Sequence, residues 1–138
     1  MGLDNGLVLR TQHPITLPKE IEKYVEARFN DESPIPYEYE LCYWRKCWNI
    51  RHEIGRALQA QSMEDVSKYW LTITDVKNIW CALQELYSKR EWERGNSIWS
   101  WCEIKPTLDR DFLILEWLIF FMRHNDEKEY MVEFYDSY

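Results

Sequence analysis

The sequence is poor in the residues that loosen or break a chain, with only four Gly and five Pro among 138 residues. This scarcity excludes collagen-like, low-complexity and linker-rich proteins, and hydrophobic residues at 46% supply enough apolar surface for a core. A chain of this length buries roughly two thirds of the surface that it exposes when unfolded. We therefore predict a single globular domain that spans residues 1–138.

Positive charge is also scarce, because 17 Lys and Arg stand against 24 Asp and Glu, for a formal net charge of −7. Direct nucleic-acid binding and attachment to anionic membranes need clustered basic side chains, so neither is predicted. The charge is segregated along the chain, and we expect its basic and acidic segments to attract each other. The basic residues are Arg45, Lys46, Arg51 and Arg56, and the acidic residues are Asp126, Glu127, Glu129, Glu133 and Asp136.

The sequence has no C-x-x-C pair of the kind that zinc sites use, and no long apolar run without a charge. The longest apolar run, residues 112–122, is interrupted by Glu116 and is too short to span a bilayer. The four cysteines lie in apolar contexts, and the N-terminus has no signal-peptide pattern. We expect four reduced, mostly buried thiols in a soluble cytoplasmic protein that has no metal, no cofactor and no membrane contact.

Residues 37–54 change their side-chain period from two to about 3.6, which predicts a strand that runs directly into a helix. The face of the strand predicted to be buried comprises Tyr37, Tyr39, Leu41 and Tyr43. From Trp44 onward the spacing becomes three and four, so one helix face should lie over the sheet. That face comprises Trp44, Cys47, Trp48, Arg51, Ile54 and Leu58.

Other segments predict further helices and strands. A first strand is expected near residues 6–11, and Pro18 begins a helix that reaches residue 29. The apolar face of this helix comprises Ile21, Tyr24, Val25 and Phe29. A further helix is expected to be capped by Thr72 or Thr74, with Asp75 at the positive end of the helix dipole and apolar residues spaced by three and four from Val76 to Tyr87.

Period-two alternation predicts two more strands, at residues 97–104 and 129–135. Between them, Pro106 and Thr107 begin a last helix that runs through residue 122. Because this helix is apolar on almost all sides, we expect it to be buried at the centre of the domain. The predicted fold class is α+β, with a small, mostly antiparallel sheet packed by three or four helices.

Both ends and the middle of the chain carry a resemblance. The start Met1-Gly2-Leu3-Asp4, the motif Tyr43-Trp44-Arg45-Lys46 and the end Tyr135-Asp136-Ser137-Tyr138 resemble a family of small bacteriophage and prophage proteins of unknown function. Those proteins often have Met-Tyr where this chain has Asn5-Gly6, and residues 14–36 look peculiar to this chain. Since the family has no settled activity, the resemblance implies a phage or mobile-element context and no particular chemistry.

Candidate binding residues cluster at the junction of the central strand and the following helix. Helical spacings of four and three would place Arg45, Asn49 and His52 on one face, able to bind an anion or a partner's carboxylate, or to form an ordinary salt-bridged surface. Cys47 is either a thiol activated by the helix N-terminus or part of the core. No nucleophile or oxyanion donor accompanies His52, so no catalytic residue is predicted. The candidate set is Tyr43, Trp44, Arg45, Lys46, Asn49 and His52.

The preferred function is that of a non-enzymatic phage or prophage accessory protein, which acts by protein–protein interaction or regulation on a host or phage partner. One alternative is a small enzyme or ligand-binding domain for an anionic substrate around Tyr43, Arg45, Asn49 and His52. Another is an acidic nucleic-acid mimic, which would require the carboxylates of residues 20–40 and 126–136 to form an exposed stripe.

Overall fold

The computed structural model describes residues 4–45, 47–59, 67–68, 70–89 and 101–137. Within these residues the chain forms four strands and four helices in mixed order, which confirms the α+β class. In chain order they are β1 (Asp4–Thr11), α1 (Lys19–Glu22), β2 (Glu26–Phe29), β3 (Tyr37–Arg45), α2 (Trp48–Ala57), α3 (Ile73–Lys89), α4 (Trp101–His124) and β4 (Tyr130–Ser137).

The four strands form one antiparallel sheet in the order β2-β3-β1-β4. β1 therefore lies in the interior, between the long strand β3 and the C-terminal strand β4. The pairing of β1 with β4 runs along both strands, from Asp4 opposite Ser137 to Thr11 opposite Tyr130. This pairing confirms that the C-terminal segment belongs to the sheet.

A single hydrophobic cluster joins the sheet to the helices. The helices contribute positions spaced by three and four, as amphipathic helices do, and the strands contribute mostly alternate positions. The largest fully buried apolar side chains of this cluster are Leu7, Leu9, Leu41, Trp44, Ile50, Ile54, Ile79, Leu83, Leu108 and Phe134. Of the helices that the structure describes, none combines the length and the apolar character that crossing a membrane requires.

A β-bulge in β3 changes which of its side chains are buried. Leu7 pairs with Cys42 while Val8 pairs with Glu40, so Leu41 is the extra residue. A bulge shifts the alternation of inward and outward side chains by one position. Cys42 is therefore buried together with Leu41, and Tyr43 is 45% exposed. The prediction that Tyr43 lies on the buried face is wrong for this reason.

The helix predicted over residues 18–29 is confirmed only over Lys19–Glu22, because α1 ends there and residues 26–29 form the edge strand β2. Backbone pairing with β3 outweighs the apolar spacing of this segment. The ring of Phe29 packs edge-to-face on Tyr37, with 5.1 Å between centroids, and Arg28 donates to Glu40 across the strands. Such cross-strand contacts are absent from any pattern within the segment itself.

The last helix begins earlier in the chain than expected, and its side chains are less completely buried than expected. α4 begins at Trp101 and contains Pro106, so the strand predicted for residues 97–104 is wrong over 101–104, and residues 97–100 lie outside the described part. The expected central burial is wrong as well, since Leu113 and Phe120 are 48% and 59% exposed. α4 packs against α3, α1 and β3, which leaves its opposite side uncovered by these elements.

Candidate functional site

The junction that the sequence singled out does not form one helix face. β3 continues through Arg45 and α2 begins only at Trp48, so the helical spacing assumed for Arg45, Asn49 and His52 does not exist. Arg45 is an exposed strand residue, while Asn49 is half-buried and His52 is exposed on α2. Lys46 lies outside the described residues.

Tyr43 lies on the outer face of the sheet and takes part in a surface contact. Its hydroxyl donates to Oδ1 of Asp4 across the strand pair, at 2.8 Å. This hydrogen bond, together with partial burial, raises the pKa of Tyr43 above its ordinary value. The hydroxyl thus stays protonated as a donor and is no candidate base at neutral pH.

Trp44, the remaining candidate, is a core residue that ties β3 to α4. Its indole Nε1 donates to Oδ2 of Asp111 at 2.7 Å, and both side chains are almost fully buried. The Arg110 guanidinium donates to Oδ1 of Asp111 through Nε at 3.1 Å and Nη2 at 2.8 Å. Burial raises the pKa of the Asp111 carboxyl, and the Arg110 charge opposes that shift. Trp44 therefore connects β3 to α4 within the core.

A buried ion pair links α2 to the C-terminal strand. Arg51 donates to Asp136 through Nε at 2.9 Å and Nη2 at 2.7 Å, and both side chains are only 2% exposed. The carboxylate also accepts from the amide of Asn5. The attraction expected between the basic helix and the acidic C-terminus is thus confirmed for this pair. Arg56 instead pairs with Glu53 inside α2, at 3.0 Å.

The described cysteines differ in exposure. Cys42 and Cys47 are free and buried, whereas Cys81 is free and exposed, so the expectation of burial is wrong for Cys81. Burial raises the pKa of the Cys47 thiol to about 12, and burial also raises the pKa of the Cys42 thiol well above its ordinary value. Because the thiolate is the nucleophile, Cys47 is not an activated thiol. The Cys102 side chain lies outside the described part.

We expect alkylation of the native protein to distinguish these cysteines. Brief exposure to iodoacetamide near neutral pH should label Cys81 and leave Cys42 and Cys47 unmodified, because the latter two thiols are buried and their pKa values are raised. Peptide mass mapping after quenching measures the label at each position. In denaturant both buried thiols should react fully. Labelling of Cys47 at the rate of Cys81 in native protein would contradict this assignment.

A concave surface lies at the start of α3 and the start of β4. Lys68 and Leu71 pair with β4 in the manner of a short additional strand. Lys68 and Phe134 exchange backbone hydrogen bonds at 2.8 Å, and the Leu71 amide donates to the Val132 carbonyl at 2.8 Å. A reciprocal capping interaction then begins α3. The Asp75 amide donates to the Thr72 hydroxyl at 3.1 Å, and the Thr72 amide donates to the Asp75 carboxylate at 3.0 Å.

Trp70 lies at the bend between this short strand and α3. Its backbone has φ +61°, in the left-handed region that bulky residues rarely adopt. Gln59 also has a positive φ, of 56°, but it follows the C-terminus of α2, where this conformation is common. Trp70 has no such helix-end role, and its side chain is 66% exposed. Left-handed backbone of this kind is enriched at ligand-binding sites.

The bend opens onto a groove of about 690 Å³ between the start of α3, the end of α4 and the start of β4. Its walls mix apolar side chains with a few polar and charged ones, a composition typical of binding sites. The lining residues are Trp70, Leu71, Thr72, Ile73, Thr74, Met122, Asn125, Glu127, Lys128, Tyr130, Met131 and Val132.

Comparison with protein-family models, curated proteins and solved structures found no match to this chain. The groove is therefore interpreted from its own geometry. Among the residues that the structure describes, no three His, Cys, Asp or Glu side chains are grouped as a metal site requires.

Sequence reasoning missed the groove, although one signal pointed near it. The Thr72 and Asp75 pattern predicts the start of α3, and the structure confirms this start. The positive φ of Trp70 has no signature in the sequence, because such positions usually carry Gly or Asn. The groove also depends on β4, which lies about sixty residues further along the chain.

Proposed function

We propose that this chain is a non-enzymatic phage or prophage accessory protein that binds an extended segment of a host or phage protein in the groove beside Trp70. The observation that carries the proposal is an exposed Trp held in left-handed backbone at the mouth of a groove. Large aromatic side chains of this kind anchor many protein interfaces, since they bury much area at little cost in side-chain entropy.

The edge of the sheet supports an extended ligand. β4 is an edge strand of the sheet, and the pairing of Lys68 and Leu71 with it reaches only as far as Val132. Phe134 directs its N–H and C=O away from β1, where they bond to Lys68. Every second residue of a strand directs its backbone groups to the same side, so the N–H and C=O of Tyr130 face the groove. Among the described residues, no backbone group bonds to Tyr130 from that side. A bound segment would continue the short strand along this edge.

The groove walls favour a segment with alternating side chains. Trp70, Ile73 and Met131 provide accessible apolar surface, whereas Asn125 and Lys128 provide polar groups. An extended ligand places every second side chain on one face, so apolar residues would enter the groove and the intervening polar residues would face water.

The alternatives have less support. An acidic nucleic-acid mimic needs a continuous stripe of unpaired carboxylates, but several of the relevant carboxylates pair with arginine. The pairs are Arg10 with Glu38 (3.2 Å) and Glu133 (2.9 Å), and Arg28 with Glu26 (3.1 Å) and Glu40 (3.2 Å). An anionic-substrate site lacks the shared helix face of Arg45, Asn49 and His52 on which it depended.

Ligands for the test are selected from a library of displayed peptides of about 15 residues, which are encoded by fragments of host and phage genomes. Isothermal titration calorimetry then compares selected peptides on the intact protein and on Trp70→Gly. Glycine accepts the positive φ, so Trp70→Gly should fold normally while Kd rises at least about tenfold. Trp48→Ala, which removes a Trp that is 50% exposed on α2, is the matched control and should leave Kd unchanged.

NMR measures where such a peptide lies. Binding should shift the Trp70 indole resonance and slow amide exchange at Tyr130, because that amide gains a hydrogen-bond acceptor in the complex. Equal affinity of Trp70→Gly and the intact protein, or shifts confined to α2, would overturn the proposal.

A further inference from the structure

The side of α4 that faces away from the core carries large apolar side chains. Leu113 and Phe120 are 48% and 59% exposed, and Trp117, midway between them along the helix, is half-buried. The three positions are spaced by four and three, so they form one stripe along the helix. An exposed apolar stripe on a helix typically packs against another helix.

The charges beside this stripe indicate which helix fits it. Asp109, Glu116 and Arg123 are exposed and recur every seven residues, so they line one flank of the stripe. When two copies of a helix pack antiparallel about a two-fold axis, the same flank of each copy meets. Asp109 of each copy then lies opposite Arg123 of the other, which places opposite charges together at both ends. Leu113 of each copy lies opposite Phe120 of the other.

We propose that this chain forms a homodimer through an antiparallel contact between two copies of α4, centred between Glu116 and Trp117. A parallel contact would not bring Asp109 to Arg123, so charge favours the antiparallel arrangement. α4 has 24 residues and is about 36 Å long. One helix pair is smaller than a standard interface of about 800 Å² per partner, so the dimer should dissociate on dilution. The proposal does not depend on the groove at Trp70, which lies on other elements.

The centre of the contact contains a feature that weakens it. In the proposed dimer, Glu116 of one copy lies beside Glu116 of the other copy across the two-fold axis. Two neighbouring carboxylates repel each other. Glu116→Gln should therefore tighten association, whereas a substitution on an unrelated surface would have no effect. This gain distinguishes the proposed axis from non-specific clustering of exposed apolar side chains.

Sedimentation equilibrium of the intact protein, from about 10 µM to 1 mM, tests the proposal in the range where weak complexes dissociate. The average mass should rise from that of one chain toward that of two. Phe120→Lys should remain at the mass of one chain, because it places a charge in the stripe opposite Leu113 of the other copy. Circular dichroism checks that this variant is folded. Phe29→Lys, which makes the same change at a side chain that is 61% exposed on β2, is the matched control and should dimerise like the intact protein.

A charge exchange tests the geometry. Asp109→Lys should raise the dimer Kd at least about tenfold, since it faces Arg123 of the second copy. Adding Arg123→Glu to the same chain should return Kd to within about threefold of the original value. An intact protein that keeps the mass of one chain throughout would overturn the proposal. So would a double variant as weak as Asp109→Lys alone.

Discussion

Removal of residues 129–138 should abolish cooperative unfolding of this protein. β4 supplies Tyr130, Val132 and Phe134 to the core, and each is buried. Burial of such side chains contributes about 1.5–3 kcal/mol each, so their loss approaches the 5–15 kcal/mol that stabilises a whole domain. The deletion also exposes the edge of β1 and leaves Arg51 buried without Asp136. Thermal unfolding followed by near- and far-ultraviolet circular dichroism measures the result.

Single substitutions separate loss of packing from loss of chain length. Phe134 is fully buried, whereas Phe29 on the other edge strand is 61% exposed. Phe134→Ala should lower the free energy of unfolding by about 3–5 kcal/mol. Phe29→Ala, the matched control, should lower it by less than about 1 kcal/mol. A deletion variant that melts cooperatively within a few degrees of the intact protein would show that β4 is dispensable.

Elements with a strong and uninterrupted period could be predicted from the sequence. α3 combines spacings of three and four with a Thr72 cap, and the structure begins it at Ile73. β4 has the apolar residues Tyr130, Val132 and Phe134 at every second position, and it lies in the sheet as expected. In both cases the information is local, since the face and the boundary are set by neighbours within the same element.

Elements whose form depends on distant parts of the chain could not be predicted. The bulge at Leu41 arises from pairing with β1 and reverses the expected burial of Cys42 and Tyr43. β2 forms because the edge of β3 offers it backbone partners, even though all four of its residues are exposed. A period within one segment contains no information about such partners.

The candidate site shows the same division between local and distant information. The junction of β3 and α2 was predicted to matter, and its Arg51 does hold the acidic C-terminus. Arg45, another basic residue of this junction, is exposed because β3 extends four residues beyond Leu41 before α2 begins. The predicted helix begins at Trp44, whereas α2 begins at Trp48. The residues of the predicted binding face therefore lie partly at the end of β3 and partly on α2.

Replacement of Arg51 should be among the most destabilising single changes in this chain. Arg51→Ala leaves the Asp136 carboxylate buried without its cation, and breaking a buried pair in this way costs about 3–5 kcal/mol. The Arg51 guanidinium also lies 5.8 Å from the ring of Trp48, so packing is lost as well. Urea denaturation at constant pH measures the change in the free energy of unfolding.

Two neighbouring arginines serve as matched controls for this substitution. Arg45→Ala and Arg56→Ala should each cost less than about 1 kcal/mol, because Arg45 is exposed and the Arg56 side chain is 59% exposed. Arg51→Met combined with Asp136→Leu should be more stable than Arg51→Ala, since no unpaired charge remains buried. If Arg51→Ala costs no more than the two controls, the pair does not hold α2 to β4. A large loss confined to Arg51 would identify that pair as the link between the second helix and the last strand.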